Sequence, residues 1–179
     1  MVPQHNDARR EYERRFLLRH LPAIAHDARV QHIVDRYIEG TTVRLRQVRD
    51  NQRATRFKLT QKLANGASGA FRGFITTMYL AEAEYDIFAM LPAKTILKTR
   101  HSLPPFGVDV FEGELAGLIL AEAEFDSAEA AALLQLPPFL CAAFEVTSDP
   151  RFNGGSLAAS TRRELELQLA EFGIRLNLD

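Results

Sequence analysis

The sequence predicts an α+β protein: a closed or nearly closed antiparallel β-barrel with a charged interior, packed by a few helices. Three observations lead there. Segments alternating with period two far outnumber segments with a helical repeat. Several of them carry like charges at i, i+2, which on a strand puts both side chains on one face. Acidic pairs and basic pairs occupy different segments, each uniform in sign.

Strand patterning marks 11–18, 30–38, 42–49, 54–61, 71–80, 94–102, 107–113, 117–125 and 140–148. Helical patterning marks about 82–91, ended by Pro92, about 128–136, after Ser127 as N-cap and before Pro137, and about 162–172. The last carries the strongest signals: Thr161 with Glu164 forms a capping box, and Gly173 supplies a stop. "ANGASG", Ala64 to Gly69, reads as a hairpin tip, since it lacks phosphate-loop spacing and opens no helix. With 179 residues, 46% hydrophobic, we expect one domain over 1–179, its core at about 9–160 and its C-terminal helix at about 162–172.

Composition removes several function classes. Lys+Arg 22 against Asp+Glu 23 leaves a net charge of -1, so no broad field attracts nucleic acid or anionic lipid. Any bound anion must be held by local charge. Cys141 is the one cysteine, which excludes an internal disulfide and thiolate metal clusters. The polar N-terminus and the lack of a long apolar run point to a cytoplasmic protein without a membrane span.

The paired charges are Glu11 and Glu13, Arg44 and Arg46, Lys98 and Arg100, and Glu122 and Glu124; Arg15 continues the first series. A half-buried strand normally turns its charges to solvent, with both signs mixed. Sorting by sign instead fits a sheet curled so that these faces look at one another, and closure also removes exposed edges. Arg15, Arg44, Arg46, Lys58, Lys98 and Arg100 would form a cationic lining for a polyphosphate. Glu11, Glu13, Glu122 and Glu124, with Asp109 near them in sequence, are hard oxygen ligands suited to Mg²⁺ or Mn²⁺.

From Glu11 to about Leu157 the chain resembles the CYTH domains, the triphosphate tunnel metalloenzymes, which include inorganic triphosphatases, thiamine triphosphatases and class IV adenylyl cyclases. The ExExK signature is matched by Glu11, Glu13 and Arg15, the RxR strand by Arg44 and Arg46, the following lysine by Lys58, and the KxR strand by Lys98 and Arg100. "VDVFEGELAGLILAEAEF" matches the DxFxG and ExE elements through Asp109, Phe111, Gly113, Glu122 and Glu124, and "VTSDPRFNGGSLA" matches the closing segment, with Phe152 where tyrosine is common. Two departures stand out. Arg15 replaces lysine and is not a ready proton donor. For the middle acidic pair, Glu82 and Glu84 have the spacing but begin a helical pattern, while Thr76 and Met78 are the alternative lumen positions on the preceding strand.

The resemblance implies a metal-dependent phosphohydrolase acting on a linear triphosphate, inorganic triphosphate first, with Lys98 or Arg100 stabilising the leaving phosphate. Cyclisation of ATP and noncatalytic polyphosphate binding are the competing readings. A monomer or homodimer with a small-molecule triphosphate as its partner is expected. His5, His20, His26, His32 and His101 lack metal-ligand spacing, and the serines lack a nucleophile motif. The basic run around Arg46–Lys62 alternates across a hairpin instead of forming one nucleic-acid surface.

Overall fold

In a computed structural model, residues 8–52, 54–64 and 70–176 are described. His5 and most of the expected hairpin tip, 65–69, lie outside them. The strands are β1 (Arg9–Leu17), β2 (Val30–Ile38), β3 (Val43–Asp50), β4 (Thr55–Ala64), β5 (Phe71–Leu80), β6 (Ala93–Leu103), β7 (Phe106–Phe111), β8 (Ile119–Phe125) and β9 (Phe144–Glu145). The helices are α1 (Glu82–Ala89), α2 (Ala128–Ala132), α3 (Gly154–Ala159) and α4 (Arg162–Ala170). No helix among the described residues is long and apolar enough to cross a membrane.

The sheet runs β5-β4-β3-β2-β6-β7-β8-β1, all antiparallel, and β1 pairs with β5 to close an eight-stranded barrel. One edge of β1 meets β8; the other is shared, first by β5 as far as Tyr12 and then by β9 at Phe16 and Leu17. That sharing explains why the strand expected at 140–148 shrinks to two residues. β5 already holds the first half of the edge. The helix expected at 128–136 likewise stops at Ala132, short of Pro137 and a 3₁₀ turn at Pro138–Leu140. α3, "GGSLAA", gave no helical signal because two glycines open it.

Period two sorts the strand residues between lumen and exterior. Outward apolar side chains are covered in two places: α1 lies over Leu45, Phe57 and Leu59, and the 134–143 segment lies over Phe16, Phe106, Val108 and Ala121. Inward, the lumen is polar over only part of its depth. One step along each strand beyond Arg15, Lys98, Asp109 and Glu122, the inward residue becomes Leu17, Ile96, Phe111 or Leu120. These four join Phe152, Leu157, Leu165 and Leu169 in one buried cluster, so α3 and α4 give the barrel an apolar floor. α4 begins as the capping box predicts: Thr161 N donates to Glu164 at 2.8 Å, and Glu164 N donates back to the Thr161 hydroxyl at 3.3 Å.

The floor packs tightly where α3 meets β2. A Cβ at Gly154 would collide with the Tyr37 hydroxyl. Gly154→Ala is therefore expected to destabilise the protein by about 1–3 kcal/mol through overpacking, and Tyr37→Phe in the same chain to recover part of that loss. Urea unfolding of both variants checks it; a Gly154→Ala protein as stable as wild type would refute the close fit.

Candidate active site

β1 and β8 supply the carboxylates. Their register sets Glu13 opposite Glu124 and Arg15 opposite Glu122, with Glu11 one inward step further along β1. β3 supplies Arg44 and Arg46, β4 supplies Lys62, and β6 supplies Lys98 and Arg100. Six cationic side chains, Arg15, Arg44, Arg46, Lys62, Lys98 and Arg100, and four glutamates, Glu11, Glu13, Glu122 and Glu124, line one cavity of about 70 Å³ above the apolar floor. A second, wider cavity of about 270 Å³ shares Glu11, Glu13, Arg15, Arg44 and Lys62 with it and adds Thr42, Val43, Arg72 and Phe74.

Two aspartates fix the cations from behind. Asp35 on β2 accepts from Arg46 Nε at 2.5 Å and Nη2 at 2.6 Å, and Arg44 Nε lies 3.5 Å away. Burial alone would push the Asp35 carboxyl up, but Arg46 and Arg44 hold it well below the usual carboxylate range. Asp109 on β7 is fully buried and accepts from Lys98 Nζ at 2.5 Å, Arg100 Nε at 2.6 Å and Arg100 Nη2 at 2.7 Å. Burial lowers the Lys98 pKa despite Asp109 and Glu122 beside it.

The glutamates face the cavity itself. Glu122 accepts from Arg100 Nη2 at 2.8 Å and from Arg15 Nε at 3.1 Å. Lys98, Arg15 and Arg100 hold its pKa well below the ordinary value against burial. Glu11 accepts from Lys62 Nζ at 2.6 Å. Glu13 accepts from Arg15, yet burial pushes its carboxyl up, and the charges of Glu122 and Glu11 add to the push. Glu124 is exposed at the mouth and pairs with Arg9 at 3.4 Å.

Most of the residues singled out in the sequence therefore meet. Three sets do not. Lys58 faces inward but lies away from the cavity, its ammonium 5.0 Å from the Tyr79 ring centroid, and Lys62, two inward steps along the same strand past Thr60, reaches the carboxylates instead. Asp109 sits behind Lys98 and Arg100 and does not line the cavity. Glu82 and Glu84 lie in the first turn of α1, where Glu84 accepts from Ala81 N at 2.7 Å. The alternative positions fail as well: Met78 is 53% exposed and pairs with Leu59 on the outer face, as Thr76 pairs with Gln61, whereas the Thr77 hydroxyl meets Thr60 at 3.2 Å. A bulge opposite Glu11 and Tyr12, where Gly73 has φ 128°, sets that parity and delivers Arg72 to Glu13 and Asn153.

The donor chemistry fits a hard divalent cation: four carboxylates on paired strands, no thiolate or imidazole among the described lining residues, and a Glu13 whose carboxyl burial, and then the charges of Glu122 and Glu11, push up, an effect that a cation would oppose. Among the described residues no three potential ligands converge on a single point, since Arg15 and Lys62 draw Glu13, Glu122 and Glu11 to themselves.

Removing the Asp35 charge should expose how much the site depends on it. Asp35→Asn leaves two guanidinium groups without their carboxylate and is expected to cost about 3–5 kcal/mol at neutral pH. Because the folded pKa is depressed, the Asp35 contribution is complete above the unfolded value of about 3.9 and is lost progressively as pH falls from there toward the much lower folded value, so that only part of it is gone near pH 3. Urea unfolding of wild type and variant at pH 7 and near pH 3 measures both; equal stability at pH 7 would contradict the pairing.

No family model matches the chain. It is 35% identical over 123 residues to the inorganic triphosphatase of Nitrosomonas europaea, across 64% of this chain and 76% of that protein. The crystal structure of the inorganic triphosphatase NE1496 aligns with a TM-score of 0.52 at 26% identity, covering 84% of this chain and 95% of that one. A crystal structure of the hypothetical protein NE1496 gives the same score and identity over 84% and 99%. With a shared barrel and that degree of identity, this chain belongs to the family of the Nitrosomonas europaea inorganic triphosphatase.

Proposed function

We propose that this chain hydrolyses a linear triphosphate, inorganic triphosphate first, with a divalent metal ion. The observation that carries the reading is the convergence of six cations and four glutamates on one cavity inside a closed barrel. The name of its relative, an inorganic triphosphatase, supports it.

The lining carries two more positive than negative charges, less than a triphosphate needs for neutralisation. Glu11, Glu13, Glu122 and Glu124 would hold Mg²⁺ or Mn²⁺, which when bound neutralises charge at the phosphoryl oxygens. Phosphoryl transfer asks mainly for positioning and charge stabilisation. Arg44, Arg46 and Arg100 grip non-bridging oxygens with planar forks held in place by Asp35 and Asp109. Lys62 adds a point charge at the mouth, where the two cavities meet. Lys98, whose pKa burial lowers, stabilises the leaving phosphate and is the lining cation best suited to give it a proton. One of the glutamates orients the attacking water.

Orthophosphate release from inorganic triphosphate, ATP and thiamine triphosphate, in Mg²⁺, Mn²⁺ and EDTA, tests the reading. Metal-dependent turnover of inorganic triphosphate is expected; release of pyrophosphate together with a cyclic nucleotide from ATP would point to cyclisation, and binding without turnover to a noncatalytic module. Glu122→Gln is expected to lower turnover at least about 100-fold with the circular dichroism of the barrel retained. Full activity in that variant would remove Glu122 from the site.

A further inference from the structure

We infer that Arg15 is a positioning residue that clamps the Phe152–Gly154 segment and two glutamates around the cavity, and is not a phosphate ligand. This rests on the triphosphatase reading above. Arg15 is 4% exposed, and four of its five N–H bonds already have acceptors. Nη1 donates to the Phe152 carbonyl at 2.7 Å and to Asn153 Oδ1 at 2.9 Å, Nε donates to Glu122 at 3.1 Å, and Nη2 donates to Glu13. One guanidinium thereby joins β1, β8 and the segment that leads into α3.

The clamped segment forms one wall of the cavity. Asn153 Oδ1 also accepts from Arg72 Nη2 at 2.9 Å, so two arginines hold the same amide. Phe152 is fully buried in the floor beside Phe172, with ring centroids 5.7 Å apart. Gly154 follows, pressed against Tyr37. The segment is thus fixed by polar bonds on the lumen side and by apolar packing on the other. Arg44 differs: it lines both cavities, and its Nε faces Asp35 at 3.5 Å without a hydrogen bond. Arg15 has one N–H left uncommitted, too few for the paired grip that an arginine makes on a phosphate.

Lysine at position 15 would offer three donors on one nitrogen, which cannot span four acceptors on three chain segments. The test compares Arg15→Lys, Asn153→Ala and the double variant by steady-state kinetics with inorganic triphosphate and by amide hydrogen exchange over 152–159. A clamp predicts that Arg15→Lys lowers kcat about 10- to 100-fold with KM within about twofold, and speeds exchange over 152–159 about tenfold. Asn153→Ala should change both in the same direction, and the double variant should be no worse than Arg15→Lys, since coupled residues are not additive. A tenfold rise in KM for Arg15→Lys with exchange unchanged would make Arg15 a phosphate ligand and overturn the inference. So would an Arg15→Lys protein with wild-type kcat and wild-type exchange. If the wild-type chain turns over no triphosphate, the functional reading falls, while loss of protection over 152–159 in both single variants still upholds the clamp and its absence overturns it.

Discussion

Three cross-strand ion pairs hold this barrel in register. Asp35 lies directly opposite Arg46, Arg100 opposite Asp109, and Arg15 opposite Glu122. Each places a carboxylate and a guanidinium side by side in a lumen where either alone would be costly to desolvate. A slip of one residue would turn every inward charge outward and bring Leu45, Val108 or Ala121 into the lumen. The pairs add modestly to stability, because desolvation offsets most of their attraction. Their larger effect is on uniqueness, since they leave one register in which all these charges are matched.

The same pairs divide the site into two tiers. Asp35 and Asp109 lie deepest and never reach the cavity; they orient Arg44, Arg46, Lys98 and Arg100 before any ligand arrives. The glutamates line the cavity itself, Glu13 and Glu122 held by Arg15 and Glu11 by Lys62. Orientation completed during folding need not be repeated during a reaction, which is the basis of electrostatic preorganisation. The apolar floor strengthens the effect: Ile96, Phe111 and Leu157 exclude water from beneath the charges and lower the local dielectric.

Much of this was legible because period two is a strong constraint. Glu11 and Glu13, Arg44 and Arg46, Lys98 and Arg100 could share a cavity only if their strands curled around it, and a reading of faces sufficed. What escaped had no repeat to betray it. Asp35 and Tyr37 in "VDRYI" mix an acid with an aromatic, so no uniform sign marks them. Lys58 and Lys62 point to the same side of β4, and only the stagger between strands decides which reaches the carboxylates. On β5 a one-residue bulge reset the parity, hiding Arg72 and making Thr76 and Met78 look inward. Stagger and bulges arise from the closed barrel as a whole and leave little trace in a local window.

The C-terminal segment answers why the lumen ends where it does. On each of four strands the inward residue changes from charged to apolar at one level, Arg15 to Leu17, Lys98 to Ile96, Asp109 to Phe111 and Glu122 to Leu120. Those apolar residues could not have remained in an open, wetted tunnel; they require the cover that Phe152, Leu157, Leu165 and Leu169 provide. Reciprocally, the segment carrying that cover is tied to the charged level through Asn153 and the Phe152 carbonyl. Floor and site therefore form one unit joined at Arg15, so the segment most distant in sequence from β1 controls the shape of the cavity that β1 lines.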